Sequence, residues 1–179
     1  VDIFAKVCKE RDDAVLVMIG KGEQEENIRE KLKGLDLEDK AYFLGNRYDV
    51  EKYYQAFDYF VFPSTFEGLP GSVAEAQAAG FINMKIQPTL GYGYVAVMHC
   101  LVSDRVTREV ALTPLVSYRN IEEDPKLWAE EILQNAQEAL RREDMREAIA
   151  QKGFDVRRQA VQMAEFYRTG QNPPGHTTE

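Results

Sequence analysis

The spacing of apolar residues changes several times along this chain, and each change predicts an element. Val1 to about Arg11 places Ile3, Phe4, Val7 and Cys8 on one stripe, which predicts an amphipathic helix. Ala14 to Ile19 is instead a continuous apolar run closed by Gly20-Lys21-Gly22. Such a run predicts a strand buried on both faces, as in a parallel sheet. Glu23 to Lys33 returns to helical spacing through Ile28 and Leu32 and stops at Gly34. Its glutamates lead and its lysines trail, as the helix dipole favours. Ala41 to Leu44, ended by Gly45, predicts a second strand, and Val50 to Phe57 a short helix. Tyr59 to Phe62, ended by Pro63-Ser64, predicts a third strand, and Ser72 to Ala79 a helix stopped by Gly80.

The pattern then fails from Phe81 to about Tyr94, a stretch holding Pro88, Gly91 and Gly93. Val95 to Val102 is strand-like and ends at Ser103-Asp104, and Pro114 to Tyr118 fits one more short strand. Pro125 to about Lys152 reads as helix, with Trp128, Ile132, Ala136 and Leu140 on a face expected to be core. Asp155 to Arg168 is a last amphipathic helix carrying Val156, Ala160, Ala164 and Tyr167. The polar, Pro- and Gly-rich end from Gly170 to Glu179 predicts a frayed, flexible tail.

Alternating strands and helices imply right-handed crossovers and an α/β fold, a doubly wound parallel sheet. Such sheets bind ligands outside the carboxyl ends of their strands, near the switch point. The candidate site is therefore the set of loops Gly20 to Glu23, Gly45 to Arg47, Pro63 to Gly71 and Ser103 to Arg105.

Composition narrows the ligand classes. At 179 residues the chain suits one domain with a short tail, and 44% hydrophobic content excludes a disordered chain. The net charge of −8 argues against nucleic acid as partner, because a phosphate backbone requires a basic footprint. The longest apolar run, Tyr94 to Val102, is too short to span a bilayer. Cys8 and Cys100 are the only cysteines and form no CxxC pair, so free thiols in a cytoplasmic protein are expected. His99 beside Cys100 lacks a second ligand pair, so no metal site is expected. No signal peptide opens the chain, and Val1 falls inside a helical stripe, which reads as a cut.

The loop from Pro63 to Gly80 concentrates the chemistry. Glu67 and Glu75 stand with seven residues between them, and Gly68, Gly71 and Ser72 sit at a helix start whose N–H groups favour an anion. Each signal has a structural alternative. Ser72-Val-Ala-Glu75 reads as a capping box, and Glu67 as a solvated loop acid. Gly20-Lys21-Gly22 lacks a third glycine at dinucleotide-binding spacing, so a tight turn explains it. His99 reads as a packed strand residue, Ser103 and Asp104 as caps of the next turn, and Arg105 and Arg108 as a solvated helix face.

Asp58 to Gly80 resembles the sugar-nucleotide-binding signature of GT-B glycosyltransferases, specifically family 4, in which two glutamates flank seven residues after a Pro-Ser strand end. Leu16 to Gly22, Tyr42 to Gly45, Asp49-Val50, Leu101 to Asp104 and Gly153-Phe-Asp155 to Phe166-Tyr167 match the same family in order. The style is that of bacterial capsular or exopolysaccharide assembly. The resemblance implies a nucleotide-sugar-binding Rossmann-like domain over residues 1–169, the C-terminal half of a GT-B fold, with 170–179 as tail. It implies that Glu75 holds ribose hydroxyls and that Glu67 contacts the donor sugar as the catalytic residue. The backbone of Gly68, Leu69, Pro70, Gly71 and Ser72 would approach the diphosphate. Gly45 would lie against the base, and Gly20 and Gly22 would complete the donor-binding set.

The implied donor is a UDP-sugar or other nucleotide sugar, with no metal and no further cofactor, and the implied reaction is retaining. The acceptor, a glycan or lipid-linked glycan, would bind a preceding domain, and the full enzyme would sit peripherally at the inner face of the membrane. Two departures stand out. The family's strand and turn carrying an Arg and a Lys near the diphosphate fall before Val1, and Phe81 to His99 replaces a short Leu-Pro step. The expectation is a donor-binding portion inactive alone. The alternative is a non-catalytic α/β interaction or nucleotide-binding module, self-associating through apolar faces of Val1–Arg11 and Asp155–Arg168 left partly exposed. A nucleotide-sugar epimerase is a third reading, but it would need catalytic acids from two domains.

Overall fold

The computed structural model describes residues 1–79, 98–138 and 145–170. In order these form α1 (Asp2–Glu10), β1 (Leu16–Met18), α2 (Glu25–Lys33), β2 (Ala41–Phe43), α3 (Val50–Tyr54), β3 (Tyr59–Phe62) and α4 (Gly71–Ala79). After them come β4 (His99–Ser103), β5 (Val116–Arg119), α5 (Pro125–Glu138), α6 (Arg146–Gln151) and α7 (Val156–Thr169). The expected insertion falls outside the described residues from Phe81 to position 97, as do Leu140 and the tail beyond Gly170.

Every strand pairing among the described residues is parallel, as the alternating pattern predicts. The described strands form two sheets rather than one continuous sheet: β1 with β2, and β3-β4-β5 with β4 in the middle. Leu16 stands opposite Ala41, Phe60 opposite Cys100, and Cys100 opposite Val116. Successive residues of a strand point to opposite faces, and β4 shows what that buries. Leu101 packs with Val7 of α1 and with Trp128, Ala129 and Ile132 of α5. Cys100 and Val102 pack on the other face with Tyr54 of α3, Val73 and Ala76 of α4, and Val106 and Val110. The smaller sheet is covered by α1 and α2, where Phe4, Leu32 and Leu37 meet Leu16, Ala41 and Phe43. Helix α1 thus contributes to the cores of both sheets, through Val7 for one and Phe4 for the other.

Three sequence expectations change. The run Ala14 to Ile19 is not buried on both faces: β1 is only half-buried and Val15 is 59% exposed. Among the described residues β1 has a paired neighbour on one edge only, so the burial a central strand would receive is missing. The single helix from Pro125 to Lys152 is two helices, α5 and α6, although Trp128 and Ile132 do form core as expected. The indole N–H of Trp128 donates to the Asn120 carbonyl at 3.1 Å, so even this buried ring has its polar atom satisfied. Finally, α1 is not left exposed, since Phe4 and Val7 are buried.

Helix α7 does carry its apolar residues in solvent, as expected. All of its residues are exposed, including Val156, Val161, Met163 and Tyr167. Local signals define its ends. The Asp155 carboxylate caps it by accepting from the Arg157 and Arg158 amides, and Gly170 closes it at φ 70°, its N–H donating to the Phe166 carbonyl. No helix among the described residues is long and apolar enough to cross a membrane.

Candidate functional site at the strand ends

Two groups of residues gather at the carboxyl ends of the parallel strands. The first follows β1 and β2. Gly20 at φ 127° and Gly45 at φ 62° occupy backbone regions that residues with a side chain rarely adopt. The Gly20 N–H donates to the Gly45 carbonyl at 2.8 Å, tying the two loops together. Lys21 lies across the second loop, its Cε 3.5 Å from where a β-carbon at Gly45 would stand. Arg47 pairs with Asp49 at 3.1 Å and places its guanidinium 5.0 Å from the ring centre of Tyr53, while Tyr48 is wholly exposed.

The second group follows β3. Ser64 donates to the Phe66 carbonyl at 3.2 Å, turning the chain away from the strand end. Glu67 then forms a single parallel bridge with Val106, which ties the loop to the segment after β4. Pro70 is buried, and its carbonyl accepts from the amides of Val73 and Ala74, starting α4. The amides of Gly71 and Ser72 donate to no acceptor among the described residues. They are open donors at the positive end of a helix, where an oxyanion is favoured.

The side chains of Glu67 and Glu75 are exposed, and neither makes a hydrogen bond or ion pair among the described residues. The capping-box alternative for Glu75 is not formed. Helix α4 opens at Gly71, so Ser72 already lies inside it, and Glu75 falls beyond the first turn where it was expected. A Glu75 carboxylate oxygen instead reaches back to within 4.0 Å of where a β-carbon on Gly71 would stand. Together with burial, that carboxylate holds the Tyr54 hydroxyl up to a pKa of about 12. Burial is the larger cause.

After β4, Arg105 pairs with Glu122 at 2.9 Å, and Arg108, on a short 3-10 helix, lies 3.7 Å above the ring of Tyr118; both are exposed, as expected. Ser103 caps the next turn as expected, accepting from the Arg105 amide, whereas Asp104 instead accepts from the Ile121 amide in the segment after β5. His99 stacks beside Tyr59 inside the sheet at 6.2 Å. Burial raises the pKa of the Cys100 thiol, so it stays protonated and unreactive at neutral pH. Among the described residues no three His, Cys, Asp or Glu side chains converge as a metal cage.

Of the residues predicted from sequence, Gly20 and Gly45 are joined directly, and Gly71 and Glu75 are adjacent; Glu67 is bound to the post-β4 loop by its backbone. Lys21 falls within the expected loop Gly20 to Glu23, whereas Gln77 was not singled out from the sequence. The only sequence signal for Gln77 was an amide at a position facing apolar neighbours on α4.

Residues 1–92, which include both glutamates, match the family model described as "Glycosyl transferases group 1". The chain belongs to that family. It is 30% identical over 154 residues to EpsF of Bacillus subtilis (strain 168), covering 85% of this chain and 36% of that protein. It is 35% identical over 69 residues to an Escherichia coli UDP-Gal:alpha-D-GlcNAc-diphosphoundecaprenol alpha-1,3-galactosyltransferase, covering 38% of this chain and 18% of that enzyme. The chain therefore spans about a third, or less, of the curated relatives it matches.

Among solved structures, Anabaena Alr3699/HepE in complex with UDP superposes with a TM-score of 0.65 at 19% identity, over 93% of this chain and 44% of that one. WaaG, a glycosyltransferase involved in lipopolysaccharide biosynthesis, superposes with a TM-score of 0.62 at 18% identity, over 94% of this chain and 42% of that one. The fold of this group 1 chain is thus that of GT-B glycosyltransferases, and the expected α/β class holds.

Proposed function

We propose that this chain is the donor-binding portion of a retaining glycosyltransferase that moves a sugar from a nucleotide sugar, UDP-linked, to a glycan or lipid-linked acceptor. One observation carries the reading. Two carboxylates, Glu67 and Glu75, stand exposed and unpaired among the described residues, on either side of open amides at the start of α4, beyond the end of a parallel strand. In this reading Glu75 accepts hydrogen bonds from the ribose hydroxyls and Glu67 from the donor sugar. The amides of Gly71 and Ser72, in the Gly68-Leu69-Pro70-Gly71-Ser72 segment, meet the diphosphate. Gly45 borders the base, with Gly20 and Gly22 completing the turn beside it.

In the reaction the bond between the anomeric carbon and the diphosphate oxygen breaks, and a bond from that carbon to an acceptor oxygen forms on the same face. The nucleoside diphosphate leaves with the electron pair, and its freed oxygen takes the proton that the acceptor hydroxyl loses. Fixed donors in a dry site stabilise charge as it develops there. No divalent metal takes part. The chain by itself binds nucleotide and completes no turnover, because the acceptor is held by a separate domain. The whole enzyme works in the cytoplasm at the inner face of the membrane, and no nucleic acid is bound.

Calorimetric titration with UDP and UDP-sugars tests the reading. Saturable binding, unchanged by EDTA and weakened at least tenfold by Glu75→Ala, is expected. Equal binding by the folded variant, or glycosyl transfer by this chain alone, contradicts it. The exposed apolar residues of α7 favour a second role, self-association. Light scattering then shows an oligomer that Met163→Glu returns to monomer; a wild-type monomer removes that role.

A further inference from the structure

Gln77 lies on α4 two residues beyond Glu75, and none of its surface is exposed. Its side-chain nitrogen donates to the carbonyls of Val73 at 3.1 Å and Val110 at 2.8 Å. Its side-chain oxygen accepts from the amides of Leu112 and Thr113, each at 3.0 Å, and from the Thr113 hydroxyl at 3.1 Å. One side chain therefore satisfies both its own N–H bonds and three donors of a segment more than thirty residues away. A buried amide is costly unless it is saturated in this way, and once saturated it fixes one geometry.

What it fixes is the wall of the candidate site. Among its ties to the rest of the molecule, two hold the segment from Val106 to Thr113 to the elements that carry the glutamates. At Val106 it bridges Glu67, and at Val110 to Thr113 it is bound by Gln77 on the helix that carries Glu75. Between them Val106 and Val110 pack against Val73 and Ala76 of α4. The same segment thus spans from the backbone of one glutamate to the helix of the other. An apolar residue at position 77 would fill the space but leave the Leu112 and Thr113 amides buried without a partner.

We infer that Gln77 is a positioning residue for the donor site: it locks the segment after β4 to α4 and so sets where Glu67 and Glu75 stand relative to each other. This rests on the donor-binding reading above. Gln77 is buried and does not itself contact the ligand. It acts through the two carboxylates, and its effect must vanish when they no longer bind.

The test uses the chain as it stands, with UDP titrated by calorimetry against wild type, Gln77→Met, Glu75→Ala and the double variant, each first shown folded by the emission of Trp128. Gln77→Met should weaken UDP binding at least tenfold and speed amide exchange at Leu112, Thr113 and Val106. Added to Glu75→Ala, it should weaken binding less than twofold further. A Gln77→Met protein of lowered stability but unchanged UDP affinity overturns the inference while leaving the donor reading intact, provided Glu75→Ala still loses affinity. Unchanged affinity in Glu75→Ala overturns both. If Gln77→Met does not fold, Thr113→Val removes one of the bonds and should weaken UDP binding about threefold; no change there overturns the inference equally.

Discussion

Replacing Leu101 with alanine is the sharpest probe of how this fold is held. Leu101 is wholly buried in the middle strand of the three-stranded sheet, under Val7 of α1 and Trp128, Ala129 and Ile132 of α5. Strand neighbours on both edges fix its backbone. The pocket therefore has little freedom to collapse when the side chain is cut back. Leu-to-Ala changes in cores cost ~2–5 kcal/mol depending on how far the site relaxes, and this site belongs near ~4 kcal/mol on that scale. With a urea dependence of about 2 kcal/mol per molar for a chain of this size, the midpoint should fall by about 2 M. Trp128 is the only tryptophan and packs on the mutated position, so its emission reports both the transition and the cavity. Val15→Ala, in an exposed position beside β1, is the control and should move stability by less than about 0.5 kcal/mol. A Leu101→Ala midpoint within about 0.5 M of wild type, with a single cooperative transition, would refute the packing argument.

Two further outcomes follow from the ends of elements. Gly20→Ala meets no atom within 4 Å, so its cost is backbone strain at φ 127° alone; destabilisation of about 1–3 kcal/mol is expected in urea melts, and a neutral result would mean that turn relaxes freely. The Asp155 carboxyl is held below the usual aspartate range, chiefly by accepting from the Arg158 and Arg157 amides. A depressed folded pKa stabilises above the unfolded value and is lost as pH falls through the folded one. Amides of the first turn of α7 should therefore exchange faster as pH drops below about 4, beyond the intrinsic rate change, and Asp155→Asn should remove most of that dependence; a wild-type profile in that variant would assign the cap elsewhere.

Much of this architecture was legible because its signals are local. The apolar run Tyr59 to Phe62 between polar turns gives β3 residue for residue, and the glycines at positions 20 and 45 mark turns that need positive φ. The Glu67 and Glu75 pair was visible through its spacing, and the structure leaves both side chains open to solvent. What was not legible depends on neighbours distant in sequence. The half-burial of β1 follows from which strand stands beside it, which its own apolar run does not encode. The capping box at Ser72 looked sound by spacing, but buried Pro70 starts the helix one residue earlier than predicted. Gln77 reads as a plain helix former until the segment at Leu112 and Thr113 folds over it.

The most direct test of the central claim, that the strand-end loops of this chain hold a nucleotide-sugar donor, is an amide map of UDP binding by heteronuclear NMR. The account predicts saturable shifts centred on Gly45, Gly71, Ser72 and Glu75, with α7 unmoved. A folded protein whose amides do not respond to UDP, or respond chiefly along α7, would contradict it.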